Sequence, residues 1–235
     1  MSKFFAAGTN LSGGAAILRG EDAGRAKAAR VQVGNTLVSC DSAGGKRFRR
    51  LTRTGVKGAP EPALRAVICA AMPRDGGRAA RIVQTCTEAG AAEILFFFSA
   101  RGAARPKGRA LEKRLLRLQR AAKGAAKECG RGVPPAVGAV PDLAGAISAA
   151  LKTELPLLMY ERGERPALRA VIREAGAFSS CAVLTGPERG FAPHEAELCR
   201  AAGLKVCSLG PRVLRCETAP LLALTALLYE SGDMD

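Results

Sequence analysis

Tryptophan is absent from the 235-residue sequence, tyrosine occurs twice and histidine once, at His194. A single imidazole, in a Pro193-His194-Glu195 segment that reads as a helix start, gives a Ser-His-Asp relay weak support, and His194 reads as an exposed helix-end residue. None of the eight cysteines is separated from another by only two residues. The short ligand spacing of a structural zinc site is therefore missing, and no metal is expected. The thiols read instead as small hydrophobes in a reducing compartment. There is no G-x-x-x-x-G-K-[ST], which argues against a P-loop nucleotide hydrolase. There is no G-x-G-x-x-G between a strand and a helix either, so the usual dinucleotide or methyltransferase fingerprint is absent. No apolar run approaches membrane-spanning length, and the stretch after Met1 is too short for a signal-peptide core. These absences predict a soluble, cytoplasmic protein with no membrane partner.

Apolar residues make up 48% of the chain and aromatics 4%, so the core must be built from Ala, Leu, Val and Ile. The formal charge is +15 and unevenly placed. Residues 1–60 hold 11 Lys/Arg against 3 Asp/Glu, and residues 101–131 hold 11 against 2. Two dense basic blocks on an otherwise balanced chain point to a polyanion, in the first instance nucleic acid.

The first 60 residues read as short β-type runs, such as Ala15 to Leu18 and Arg47 to Thr52, broken by Gly13-Gly14 and Asp41 to Gly45. A small β-barrel is expected there. Gly58-Ala59-Pro60-Glu61-Pro62 reads as a linker. Beyond it strands alternate with helices: strands at 63–71, 93–99, 156–160, 180–184 and 205–209, and helices at 78–89, 111–129, 142–151, 167–175, 193–202 and 217–229. That order predicts a parallel α/β sheet.

Ligands of open α/β sheets bind beyond the carboxyl ends of the strands. The turns after the last three strands carry Tyr160-Glu161-Arg162-Gly163, Thr185-Gly186-Pro187-Glu188-Arg189-Gly190-Phe191, and Ser208-Leu209-Gly210-Pro211-Arg212-Val213-Leu214-Arg215-Cys216-Glu217-Thr218-Ala219. In the second and third, Gly-Pro directly follows a strand. Glycine lets a ligand approach the backbone and proline fixes the loop.

Gly186 to Phe191 resembles the G-P-E-G-G-F/L motif of the RsmE family, and Leu209 to Ala219 resembles its L-G-x-R-I/V-L-R-x-E-T-A. Glu128-Cys129-Gly130-Arg131 with Val133-Pro134, Gln84 to Gly90, and Lys3-Phe4-Phe5 match further family segments in order. The resemblance implies a PUA-like β-barrel over residues 1–62. It implies a knotted SPOUT methyltransferase domain (an α/β trefoil knot) over 63–235, and a homodimer. The implied activity is S-adenosylmethionine-dependent methylation of N3 of a uridine in the 16S rRNA of the small ribosomal subunit. The alternatives are a SPOUT enzyme with another RNA target and a non-catalytic rRNA-binding homologue. The implied cofactor contacts are Leu158, Tyr160, Glu161, Leu184, Gly186, Pro187, Glu188, Gly190, Ser208, Leu209, Gly210, Leu214, Thr218 and Ala219. Glu188 or Glu217 could accept the uracil proton, and Arg212 or Arg215 could stabilise the anion. For Glu217 a structural ion pair at a helix start is an equal reading. Arg25, Lys27, Arg30, Lys46, Arg47, Arg49, Arg50 and Arg131 are the expected RNA contacts. The sequence departs from the family at Arg189, where glycine is usual, at Thr85, where lysine is usual, and at Gly24-Arg25-Ala26.

Overall fold

Alternation along the strands decides which side of the sheet each residue faces. In β1 (Arg65–Ala71), Ala66, Ile68 and Ala70 pack into one core layer while Val67, Cys69 and Ala71 pack into the other. A strand buried on both faces reads as a continuous apolar run, and this one does. The computed structural model describes residues 61–106 and 108–234, within the second of two units into which the chain divides, Glu61–Asp235. The expected barrel over 1–62, except for Glu61 and Pro62, and its candidate contacts Arg25, Lys27, Arg30, Lys46, Arg47, Arg49 and Arg50 lie outside the described residues.

The elements run β1, α1 (Gly76–Ala89), β2 (Glu93–Phe97), α2 (Arg109–Cys129), β3 (Ala136–Ala139), α3 (Leu143–Ala150), β4 (Leu155–Met159), α4 (Leu168–Ala175), β5 (Ser180–Thr185), α5 (Pro193–Ala201), β6 (Lys205–Cys207) and α6 (Ala219–Glu230). The six strands form one sheet in the order β3-β2-β1-β5-β4-β6, and every pairing is parallel. Helices α1, α2, α4 and α6 supply one core layer, through residues such as Ile82, Leu118, Val171 and Leu227. Helices α3 and α5 supply the other, through Leu143, Ala146, Ala196 and Cys199.

Strand β3 was not expected from the sequence. It has four residues, Ala-Val-Gly-Ala, with prolines at 134, 135 and 141 around it. Its place is fixed from outside: the Gln119 side chain of α2 donates to Pro135 O (2.9 Å) and accepts from Val137 N (2.9 Å). Strand β6 stops at Cys207, short of the expected 209. Ser208 turns to pair with the segment before α4, donating to Pro166 O (2.9 Å) and accepting from Leu168 N (2.9 Å). Helix α6 starts at Ala219, so Glu217 precedes it.

Arg131, expected to face RNA, is buried at 6% exposure. Its guanidinium donates to Glu61 Oε2 (2.9 and 2.6 Å), Thr87 O (2.8 Å) and Ala91 O (2.9 Å). Glu61 Oε1 in turn accepts from Gly132 N (3.1 Å) and Val133 N (3.0 Å). Every guanidinium nitrogen is engaged within the fold, so Arg131 braces the end of α2 from a buried position. Burial pulls the Glu61 carboxyl up, but hydrogen bonds from Arg131, Val133 and Gly132 outweigh it and leave the group below its ordinary 4.5. A carboxyl lowered in the folded state contributes stability that is complete above pH 4.5 and is lost as pH falls through the folded value. Glu61→Gln should therefore cost about 1–3 kcal/mol at pH 7, toward the lower end because the carboxylate is a third exposed. The difference from wild type should shrink below pH 4.5 in urea titrations. A difference that is constant with pH would rule out an ionic brace.

Candidate active site

The loops after β4, β5 and β6 meet around a cavity of about 420 Å³ at the carboxyl edge of the sheet. Tyr160 and Glu161 line it from the first loop. Gly186, Pro187, Glu188 and Gly190 line it from the second, and Ser208, Leu209, Gly210, Arg212, Leu214 and Ala219 from the third.

Two of the glycines have a visible geometric task. Gly190 closes a turn by donating to Pro187 O (2.8 Å), at φ 68°, and a Cβ there would lie 2.0 Å from Glu161 Oε1. Glu161 therefore packs directly on the backbone of the next loop. A Cβ on Gly186 would meet the Phe191 ring at 3.0 Å. Phe191 is fully buried and stacks on Phe97 with centroids 6.2 Å apart, which pins the second loop to the sheet. In the third loop Ser208 Oγ both accepts from Gly210 N and donates to Gly210 O, each at 3.1 Å.

The remaining expected residues fall elsewhere. Leu158 and Leu184 are fully buried between the sheet and helices α3 and α5, and neither reaches the cavity. Both sit on strands, where the alternation that buries them turns them from the cavity. Thr218 is the residue before α6 and donates its N–H to Arg215 O (2.9 Å). Arg215 and Glu217 are not among the lining residues; the Arg215 side chain is exposed and Glu217 is half-buried beside Cys216. His194 is exposed, as expected for a helix end.

Several residues that sequence reasoning missed also belong here. Thr185, Arg165 and Cys216 line the cavity. Arg78, from the first turn of α1, reaches Glu188 Oε1 at 3.9 Å, and the Arg74 N–H donates to the same oxygen at 2.9 Å. No local pattern marks Arg78, because more than a hundred residues separate it from its partner. Glu217 accepts from the Cys216 thiol (3.2 Å). Burial pulls the Glu217 carboxyl up, but the Cys216 hydrogen bond and the charges of Arg78 and Arg215 hold it below its ordinary value. Burial, joined by Glu217 and Glu188, pushes the Cys216 thiol up to about 12, so it stays neutral. Of the two departures that fall here, Arg189 is exposed in the Pro187–Gly190 turn while Gly190 takes the positive φ. Thr85 bonds back to Arg81 O within α1 (3.0 Å).

Three buried polar atoms around the cavity have no partner among the described residues: Thr185 Oγ1, Arg165 Nε and Glu188 Oε2. Buried polar groups are normally satisfied. One hydroxyl, one guanidinium N–H and one carboxylate oxygen around one cavity match a polar, multifunctional ligand. Among the described residues no group of three His, Cys, Asp or Glu could hold a metal, and no helix is long and apolar enough to cross a membrane.

The family described as RNA methyltransferase domain matches residues 60–228. A ribosomal RNA small subunit methyltransferase E of Bacillus subtilis is 30% identical over 172 residues, covering 72% of this chain and 67% of that protein. The protein of that name from Mycobacterium bovis is 29% identical, covering 92% of this chain and 87% of its own. The crystal structure of a ribosomal RNA small subunit methyltransferase E from Neisseria gonorrhoeae bound to S-adenosyl methionine has a TM-score of 0.65. It is 27% identical and covers 76% of this chain and 72% of that one.

Proposed function

The chain belongs to the RNA methyltransferase domain family, beside proteins named ribosomal RNA small subunit methyltransferase E, and from that premise we propose that it transfers a methyl group from S-adenosylmethionine to N3 of a uridine in 16S rRNA of the small subunit. The observation that carries this reading is the meeting of the three post-strand loops around one cavity edged by unsatisfied buried polar atoms.

The residues suit this cofactor. Backbone groups of Gly186 and of Ser208 to Gly210 would hold adenine and ribose, with Leu209 and Leu214 against the ring, and Glu161 would face a hydroxylated or cationic part. When bound, S-adenosylmethionine supplies a methyl group activated by a positively charged sulfur. The protein's part is to position the acceptor, exclude water and manage a proton. Uracil N3 carries a proton that must leave before the nitrogen can act as a nucleophile. Glu188 is the better acceptor: its Oε1 is held by Arg74 N–H and Arg78 while Oε2 has no partner. The Glu217 carboxylate is already bonded by the Cys216 thiol. As the N3 proton passes to Glu188, negative charge spreads over the uracil carbonyl oxygens, where Arg215 or Arg212 can offset it.

Glu188→Gln should keep the fold and the Arg74 contact, because an amide oxygen can still accept. Single-turnover methylation of small-subunit particles should slow by about a hundredfold or more. A wild-type rate would move the proton to Glu217.

The same reading carries the finer features that the resemblance implies. These are a trefoil knot in the 63–235 domain, a PUA-like barrel over 1–62 that grips RNA, a homodimer and a cytoplasmic location. Supporting the knot, the β4–α4 segment lies against the end of β6: Tyr160 N donates to Cys207 O (3.0 Å) and Ser208 N to Pro166 O (2.9 Å). Deleting the gene and mapping methyl groups on small-subunit rRNA tests the proposal. The expected result is loss of one 3-methyluridine; loss of a ribose methyl would replace the target.

A further inference from the structure

Helix α2 carries seven basic residues and two acidic ones. At 100° per residue, Arg109, Lys113, Arg120 and Lys123 fall within about 80° of the helix circumference and span roughly 21 Å of its length. All four are exposed. The buried residues Leu118, Ala122, Ala125 and Ala126 lie on the opposite arc, so core packing fixes this strip outward. Among the described residues none of the four is in an ion pair. Arg109 and Lys113 stand one turn apart, and Arg117, also exposed, continues the like-charged spacing beyond Lys113. Such pairs repel and weaken a helix unless something neutralises them.

The strip starts at the N-terminal end of α2, and that end is tied to the cavity loops by its neighbours. Arg114 donates to Pro73 O (2.7 Å), next to the Arg74 whose N–H holds Glu188. The loop leading into α2 packs on the second cavity loop, since a Cβ on Gly102 would lie 3.4 Å from Pro187 Cβ. The strip therefore runs along α2 away from the end that packs nearest the Glu188 loop.

We propose that the outer face of α2 is a track for the rRNA phosphate backbone flanking the target nucleotide, a contact that belongs to the methyltransferase domain itself. The proposal rests on the rRNA reading above. A row of exposed cations along one face of a helix matches a polyanionic strand. An anionic membrane is the poorer occupant, because the strip has no aromatic residue and Leu116 is its only exposed large apolar one.

The test replaces Arg109, Lys113, Arg120 and Lys123 together with glutamine, which keeps helix propensity. The control replaces Arg81, Lys152, Arg169 and Arg173, four exposed cations elsewhere, with glutamine. Binding to small-subunit rRNA is measured against salt, and methylation is measured in parallel. For the α2 variant, affinity at moderate salt should fall about tenfold or more, and the slope of log K against log salt should flatten by about 3. KM for particles should rise while kcat and cofactor affinity stay at wild type. The control should keep its slope. An unchanged slope in the α2 variant overturns the track, as does an equal loss in the control, which would mean diffuse attraction. Unaltered rRNA binding with lost binding to phosphatidylserine vesicles would also overturn it, in favour of a membrane. If the wild-type protein methylates particles and the variant behaves identically, the track alone fails. If the wild type neither binds nor methylates them, both readings fail.

Discussion

A Gly190→Val protein should bind S-adenosylmethionine about a hundredfold more weakly than wild type in calorimetric titration. Two costs combine. Gly190 sits at φ 68°, a left-handed conformation that a β-branched residue adopts at a cost of about 1–2 kcal/mol. The new Cβ would also stand 2.0 Å from Glu161 Oε1 and 2.9 Å from its Cδ, so the Glu161 carboxylate must leave its place against the loop. A hundredfold loss corresponds to about 2.8 kcal/mol, which backbone strain and a displaced contact together can supply. The fold should survive, because Phe191 remains buried and stacked on Phe97. Gly190→Ala should fall between the two. Full affinity in the valine variant would remove Glu161 and this turn from the cofactor site.

The second large effect is expected at Arg215. Its carbonyl accepts from Thr218 N (2.9 Å) and Ala219 N (3.0 Å), so the backbone is fixed at the start of α6 whatever the side chain does. The guanidinium is exposed and makes no ion pair among the described residues, though its charge is felt at Glu217. A rigidly mounted, uncommitted cation beside the cavity suits an anion that exists only during the reaction. Arg215→Ala should therefore bind cofactor almost normally and methylate about a hundredfold more slowly in single turnover. Arg215→Lys should restore part of the rate, having the charge without the planar fork. If Arg215 only steadies Glu217, the alanine variant should lose cofactor affinity or thermal stability instead.

The sequence was most informative where local chemistry decides the outcome. Apolar runs such as Val67 to Ala71 announced strands buried on both faces, and Gly-Pro after a strand announced two of the three loops that line the cavity. Facing was harder to read. Leu158 and Leu184 were expected at the cofactor, yet strand alternation and the sheet order turn them into the layer under α3 and α5. Long-range pairing was invisible. Arg131 looked like a surface cation until Glu61, 70 residues away, was seen to bury it, and Arg78 joined the site only through the packing of α1. Strand β3 escaped because its anchor is the side chain of Gln119.

The central claim is methyl transfer from S-adenosylmethionine to one uracil nitrogen. It is tested most directly by incubating the purified protein with methyl-labelled cofactor and small-subunit particles lacking the modification, then resolving the rRNA nucleosides by mass spectrometry. The account predicts label in 3-methyluridine at a single position, strongly reduced at limiting cofactor by Gly190→Val and strongly slowed by Arg215→Ala. Label in a 2′-O-methylated nucleoside, or tight cofactor binding with no label in rRNA at all, would contradict it.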